Sequence, residues 1–142
     1  MTVRFNHMEL TYARGALDAG VREDIGRFYA DVFGFEQYED LTKDRHQLVL
    51  RCHHHEQFVF LISEDHPMQA PRLDHFGISV TCQEDFDEVL RRARVWAEKE
   101  PEHTDLIDVQ VETYEGMLNL HSFYVRYRLP LMIETQFFEY LF

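Results

Sequence analysis

Asp74-His75-Phe76-Gly77-Ile78-Ser79-Val80 is the stretch that decides how this chain folds. Phe76, Ile78 and Val80 alternate with His75, Gly77 and Ser79, the period of a strand with one apolar and one polar face. The same device stands near the start of the chain. In Asn6-His7-Met8-Glu9-Leu10-Thr11-Tyr12, the residues Met8, Leu10 and Tyr12 alternate with His7, Glu9 and Thr11. The two histidines therefore hold equivalent first-strand positions half a chain apart.

The elements after each of these strands repeat as well. Behind the first comes a helical stretch of roughly Leu17 to Phe33, with Val21, Ile25, Phe28, Tyr29, Val32 and Phe33 as its apolar stripe and Gly34 as its stop. Three short strands are predicted next, about Glu36–Glu39, Gln47–Cys52 and Phe58–Ile62. The prolines of Asp65-His66-Pro67-Met68-Gln69-Ala70-Pro71 mark a linker. After the second strand, Thr81-Cys82-Gln83-Glu84 reads as a capping box. The helix it opens carries Phe86, Val89, Leu90, Ala93, Trp96 and Ala97 on one face. Strands Ile107–Thr113, Asn119–Tyr127 and Leu131–Phe137 complete the second round. The chain thus reads as two tandem βαβββ modules, an α+β fold. Module one covers about residues 1–66, the linker about 65–71 and module two about 72–142.

Periodicity also places chemistry. In Leu131-Met132-Ile133-Glu134-Thr135-Gln136, the residues Met132, Glu134 and Gln136 share a face. If the polar faces line one concave surface, His7, His75 and Glu134 point into one cavity. Two imidazoles and one carboxylate make the facial triad that holds iron(II) with coordination positions left open. Zinc, manganese or nickel could occupy the same three donors.

Bulk composition bounds the function. A chain of 142 residues that is 45% hydrophobic and 14% aromatic suits a compact globule. A net charge of −12 repels a phosphate backbone, which argues against nucleic acid and anionic membrane surfaces. Arg91, Arg92 and Arg94 lie among acids on one predicted helix and form no basic patch. No apolar run is long enough for a signal peptide or a bilayer span, so a cytoplasmic protein is expected. Cys52 and Cys82 belong to no CxxC pair, which disfavours a thiolate zinc site. The apolar end Phe137, Phe138, Tyr140 and Phe142 is expected to bury against a second subunit or to cap the barrel, and a homodimer is the expected assembly.

These residues resemble the vicinal oxygen chelate superfamily, which includes glyoxalases, bleomycin resistance proteins and extradiol dioxygenases. Phe28-Tyr29-Ala30-Asp31-Val32-Phe33-Gly34-Phe35-Glu36 is similar to its helix-end signature, and Leu73–Val80 to its second-module first strand. The resemblance implies a half-open mixed β-barrel with helices outside, built around a divalent metal. Type I extradiol ring-cleavage dioxygenases are the nearest match. It implies that His7, His75 and Glu134 bind the metal, with Fe(II) first and Mn(II), Zn(II) or Ni(II) as alternatives. It further implies catalytic roles for Tyr124, ten residues before the glutamate, and for His55 within Arg51-Cys52-His53-His54-His55-Glu56-Gln57-Phe58. The small-molecule substrate implied is a catechol-type vicinal diol.

Three features depart from that pattern, the first being that many ring-cleavage enzymes of this type contain two pairs of modules where this chain has one. The family's Asp-Pro-x-Gly turn is replaced by Tyr127-Arg128-Leu129-Pro130. His121 differs in strand parity from Tyr124. Glyoxalase-type and epimerase-type relatives add a fourth ligand on the last strand of module one; here that strand, Phe58-Val59-Phe60-Leu61-Ile62, offers none at its centre, with Gln57 and Glu64 only at its ends, so three ligands are expected. Fosfomycin-type thiol transferases use the same triad, and bleomycin-binding relatives sequester a ligand without chemistry. Relatives pair their modules within one chain or across two, and the sequence is compatible with both.

Overall fold

His7 opens the first strand, β1 (His7–Ala13), in the computed structural model, which describes residues 1–42 and 47–142. Helix α1 (Ala19–Phe33) follows. Asp18 starts it by accepting the Val21 N–H on Oδ1 at 2.9 Å, as an N-cap does. Gly34 ends it at φ 70°, where a side chain would be strained. The Gly34 and Phe35 N–H groups donate to the carbonyls of Ala30 and Tyr29, which closes the last turn of the helix. Of the expected stripe, Ile25, Phe28, Tyr29 and Val32 are buried, with Val21 and Phe33 half-buried at its edges.

Next come β2 (Glu36–Gln37), α2 (Glu39–Thr42), β3 (Leu48–Arg51) and β4 (Phe58–Glu64). The strand expected to run through Glu39 stops after Gln37. The Tyr38 N–H still pairs with Val49, but the Tyr38 carbonyl already accepts the Leu41 N–H at 3.1 Å. Glu39 and Asp40 bring no apolar side chain to hold the pleat, and their charges suit a helix start. The sheet order is β1-β4-β3-β2, with β1 parallel to β4 and the other pairs antiparallel.

The second half repeats this plan with β5 (His75–Val80), α3 (Gln83–Lys99), β6 (Thr104–Tyr114), β7 (Leu118–Tyr127) and β8 (Met132–Tyr140). Its order is β5-β8-β7-β6, again with the first strand at one edge, parallel to the last. The expected capping box is absent. The residue at the cap is Cys82, not Thr81, and no side chain caps the helix. A thiol accepts hydrogen bonds poorly, so the start of α3 relies on Glu84 and Asp85 in its first turn.

Two compact units result, Met1–Gln69 and Ala70–Phe142. Each has its own core: Leu10, Ile25, Phe28, Tyr29, Leu50 and Leu61 in the first, and Phe86, Leu90, Phe123, Val125, Tyr127 and Ile133 in the second. Phe86 meets Phe123 edge-on at 5.4 Å and His121 at 6.0 Å, and Trp96 meets Tyr127 at 5.4 Å. Helix α3 thus covers the odd-numbered face of β7. The even-numbered face, which carries Ser122, Tyr124 and Arg126, is turned away from that helix. Tyr140, Leu141 and Phe142 remain exposed on the chain. No helix among the described residues is long and apolar enough to cross a membrane.

Candidate metal centre

Three strands of the second unit set one row of side chains. Gly77 of β5 pairs with Glu134 of β8, and Glu134 pairs with Tyr124 of β7. His75 leaves the same face of β5 two residues before Gly77. The outcome is tight: His75 Nε2 stands 3.1 Å from Glu134 Oε2, and the Tyr124 hydroxyl donates to Glu134 Oε1 at 2.8 Å. The rings of His75 and Tyr124 meet edge to face at 5.1 Å.

The Leu73 carbonyl lies 2.8 Å from His75 Nδ1 and can only accept, so Nδ1 carries a proton. The lone pair of the other ring nitrogen then faces a carboxylate oxygen. Two acceptors at 3.1 Å need a cation between them, either a proton or a metal. A ligating histidine whose second nitrogen is held by a backbone carbonyl is the usual support for a metal site. The donors present therefore fit a divalent ion. Tyr124 is held protonated: burial first, then its bond to Glu134, pushes the phenol up to about 12.

The first unit presents its histidine in the same way. His7 Nδ1 lies 2.8 Å from the Asn6 side-chain oxygen, and its ring stacks on Phe58 with centroids 4.9 Å apart. A cavity of about 650 Å³ opens beside it, with Val49, Phe58 and Phe60 as floor and His7, Glu9 and His55 among its polar walls. Of the three consecutive histidines, His55 reaches this cavity, while its backbone carbonyl accepts from the Tyr38 hydroxyl at 3.4 Å. A larger cavity of about 770 Å³ beside α1, walled by Arg22, Arg27 and Glu36, holds neither histidine nor cysteine and lies away from this chemistry.

The two registers line up. Glu9 pairs with Phe60 as Gly77 pairs with Glu134, so Phe60 occupies in the first unit the place of the glutamate in the second. The structure thus brings His75, Glu134 and Tyr124 together and sets His7 beside His55 in the other unit. Among the described residues, no three His, Cys, Asp or Glu side chains gather as a metal-holding group.

His121 has a structural setting. Its Nε2 bonds Glu139 at 2.9 Å, and its ring lies between Phe86 and Phe137 on the helix-facing side. Burial pushes the Cys52 thiol up to about 11, which leaves it a poor nucleophile. Sequence reasoning put Glu9 on the His7 face by strand parity without giving it a role, and it missed Tyr38 and Gln47 as cavity walls. Tyr38 and Gln47 arrive through the turn around α2 and carried no signal.

No protein-family model matches the sequence, and no curated protein does either. Solved structures do match. A putative glyoxalase family protein from Bacillus anthracis superposes with TM-score 0.62 at 19% identity, covering 98% of each chain. A glyoxalase/bleomycin resistance protein/dioxygenase family enzyme from Burkholderia phytofirmans PsJN gives 0.63 at 13% identity, over 93% of this chain and 96% of that one. The fosfomycin resistance protein FosX from Listeria monocytogenes gives 0.60 at 13% identity, over 95% and 91%. With its two four-stranded mixed sheets in tandem βαβββ units, the chain has the fold of the glyoxalase/bleomycin resistance/dioxygenase proteins.

Proposed function

We propose that this chain is a metal-dependent enzyme whose substrate chelates the ion through two adjacent oxygens. Within that class the reading is oxidative cleavage of a catechol-type diol. The observation that carries it is the His75–Glu134 pair, two acceptors facing each other at 3.1 Å with the imidazole locked by Leu73. His7 is the third ligand, supplied by this chain or by a second copy in a homodimer. Iron(II) suits two imidazoles and a carboxylate, and Mn(II), Zn(II) or Ni(II) can take the same donors. When bound, a redox-active ion supplies the electron transfer between diol and dioxygen.

The residues do the rest. Glu134 and His75 would hold the ion. Tyr124, held as a phenol at neutral pH, orients Glu134 and can turn its O–H toward a substrate oxygen. His55 takes a proton from the diol, a role suited to an imidazole near neutral pH. Phe58, Phe60 and Val49 make the floor of the first unit's cavity apolar, a surface suited to an aromatic ring.

The test is direct. Protein purified without oxygen and loaded with Fe(II) is mixed with catechol and air, and a yellow ring-opened product is expected. Iron held without turnover of several catechols would favour a non-oxidative member of the same fold. The likeness to FosX and to a lactoylglutathione lyase from Agrobacterium tumefaciens (TM-score 0.58, 18% identity, covering 96% and 94% of the two chains) keeps a thiol transferase, lyase or isomerase as the second reading. Absence of any tight divalent ion would leave a module that binds a hydrophobic ligand without chemistry.

A further inference from the structure

Arg126 stands two residues beyond Tyr124 on β7 and leaves the same face. β6 places Asp105 opposite it, and the β8 register, continued one residue past the Val125–Ile133 pair, places Met132 on its other side. Met132 in turn pairs with His75. One row therefore runs His75, Met132, Arg126, Asp105, beside the row that holds Glu134 and Tyr124. With strands about 4.8 Å apart, Arg126 is rooted about 10 Å from the histidine strand. Its long side chain can close much of that gap.

The charges in this row do not balance. Asp105 is held by a two-pronged bond from Arg72, Nε to Oδ2 at 2.9 Å and Nη2 to Oδ1 at 2.7 Å. Arg126 reaches the same carboxylate through one contact of 3.4 Å. Two guanidinium groups thus share one carboxylate, so the trio carries +1; a further carboxylate on this face, Glu134, is engaged by His75 and Tyr124. The Arg126 side chain is only 27% exposed, and among the described residues its one polar side-chain partner is Asp105. A partly desolvated guanidinium has five donors in a planar fork, and here most of the fork is unused. A structural role would need only Arg72, which already neutralises Asp105. A chain of net charge −12 repels anions at a distance, so any anion it accepts must be held by such a local excess.

We propose that Arg126 is the anchor for a carboxylate on the substrate, so that the preferred ligand is a diol bearing an acid group. The diol part of this assignment rests on the function proposed above; the anion subsite does not. The Arg126 side chain now leans toward Asp105; turned the other way across its sheet face, toward β8, it would set its fork about one aromatic ring away from the His75–Glu134 pair.

Calorimetric titration of the Zn(II)-loaded protein, which is redox-inert, tests this with catechol, 3,4-dihydroxybenzoate and benzoate. The wild type is expected to hold 3,4-dihydroxybenzoate at least about tenfold more tightly than catechol, a preference worth about 1.4 kcal/mol. In R126M that preference should vanish while catechol affinity stays within about twofold. R126K should keep part of the preference, and thermal melts of both variants should match the wild type. The variants also control for the carboxylate's effect on the acidity of the diol. Benzoate should bind the wild type, with or without metal, and not R126M. Equal affinity for the two diols in the wild type, or a preference that survives in R126M, would overturn the anion subsite. Arg126-dependent benzoate binding with neither diol held would instead sink the diol chemistry and leave the subsite standing. Failure of all three ligands would remove both.

Discussion

His75 Nε2 lies 3.1 Å from Glu134 Oε2 while His75 Nδ1 is fixed on the Leu73 carbonyl at 2.8 Å. The backbone, through one hydrogen bond, chooses which nitrogen is offered to the carboxylate. Nitrogen-15 NMR of the histidine rings can read this choice. Nδ1 of His75 is expected to keep its proton in metal-free and Zn(II)-loaded protein, and the Nε2 resonance to move on metal addition. A proton found on Nε2 alone in the loaded protein would contradict the geometry.

Tyr124 gives a pH signature. Its phenol is pushed up to about 12 by burial and then by Glu134, against about 10 in the unfolded chain. A group whose folded pKa is raised contributes stability that is full below about pH 10 and is lost as pH climbs toward 12. Absorbance titration of the metal-free protein should therefore show Tyr124 among the late-ionising of its seven tyrosines. Y124F should take one tyrosine's amplitude out of the late step and flatten the loss of stability in the same window. A late step of unchanged amplitude in Y124F would assign it to the buried tyrosines of the core, Tyr29 and Tyr127.

Phe60 is expected to be the point where ligand number can be altered. It holds, relative to His7, the place that Glu134 holds relative to His75. F60E should add a carboxylate beside His7, tighten divalent metal binding by about tenfold and slow turnover by filling an open position. Unchanged metal affinity in a folded F60E would show that the two registers are not functionally equivalent.

Packing of the second unit hinges on Phe123, fully buried against Phe86. F123A should cost about 3–5 kcal/mol in denaturant unfolding, the range for a large cavity in a core. The helix face and the sheet carrying Tyr124 share that core, so metal affinity should fall with stability. A loss under about 1 kcal/mol would mean that α3 does not brace this sheet.

Much of this was legible in the sequence because strands have a strict period. The alternation around His7 and His75, and the matching order of elements, sufficed for two βαβββ units and for the faces of Tyr124 and Glu134. Gly34 marked the end of α1 because its backbone angle demands glycine. The failures have three causes: a one-residue shift, a competing local turn and a partner distant in sequence. Thr81 reads as a helix cap, yet the helix begins one position later, at a thiol that cannot cap it. The strand after Gly34 is cut short by a turn that Tyr38 closes with Leu41. Arg126 carries no signal in the sequence because its significance lies in Arg72 having already occupied Asp105, a fact that no local pattern holds.

The apolar end of the chain bears on assembly. Tyr140, Leu141 and Phe142 are exposed on the single chain, together with Met117, whose carbonyl accepts the Leu141 N–H at 3.0 Å. Light scattering should report a dimer, and deletion of residues 140–142 should weaken it. A monomer at high concentration would remove the homodimer and require His7 to come from the same chain.

The most direct measurement is metal stoichiometry in four proteins: wild type, H7A, H75A and E134A, purified without oxygen and titrated with Fe(II). One tightly held ion per chain is expected in the wild type, with affinity falling at least about a hundredfold in each variant, since every protein ligand lost leaves an incomplete site. Full retention of the ion in H7A would separate the first unit from the metal, and retention in all three variants would contradict the centre altogether.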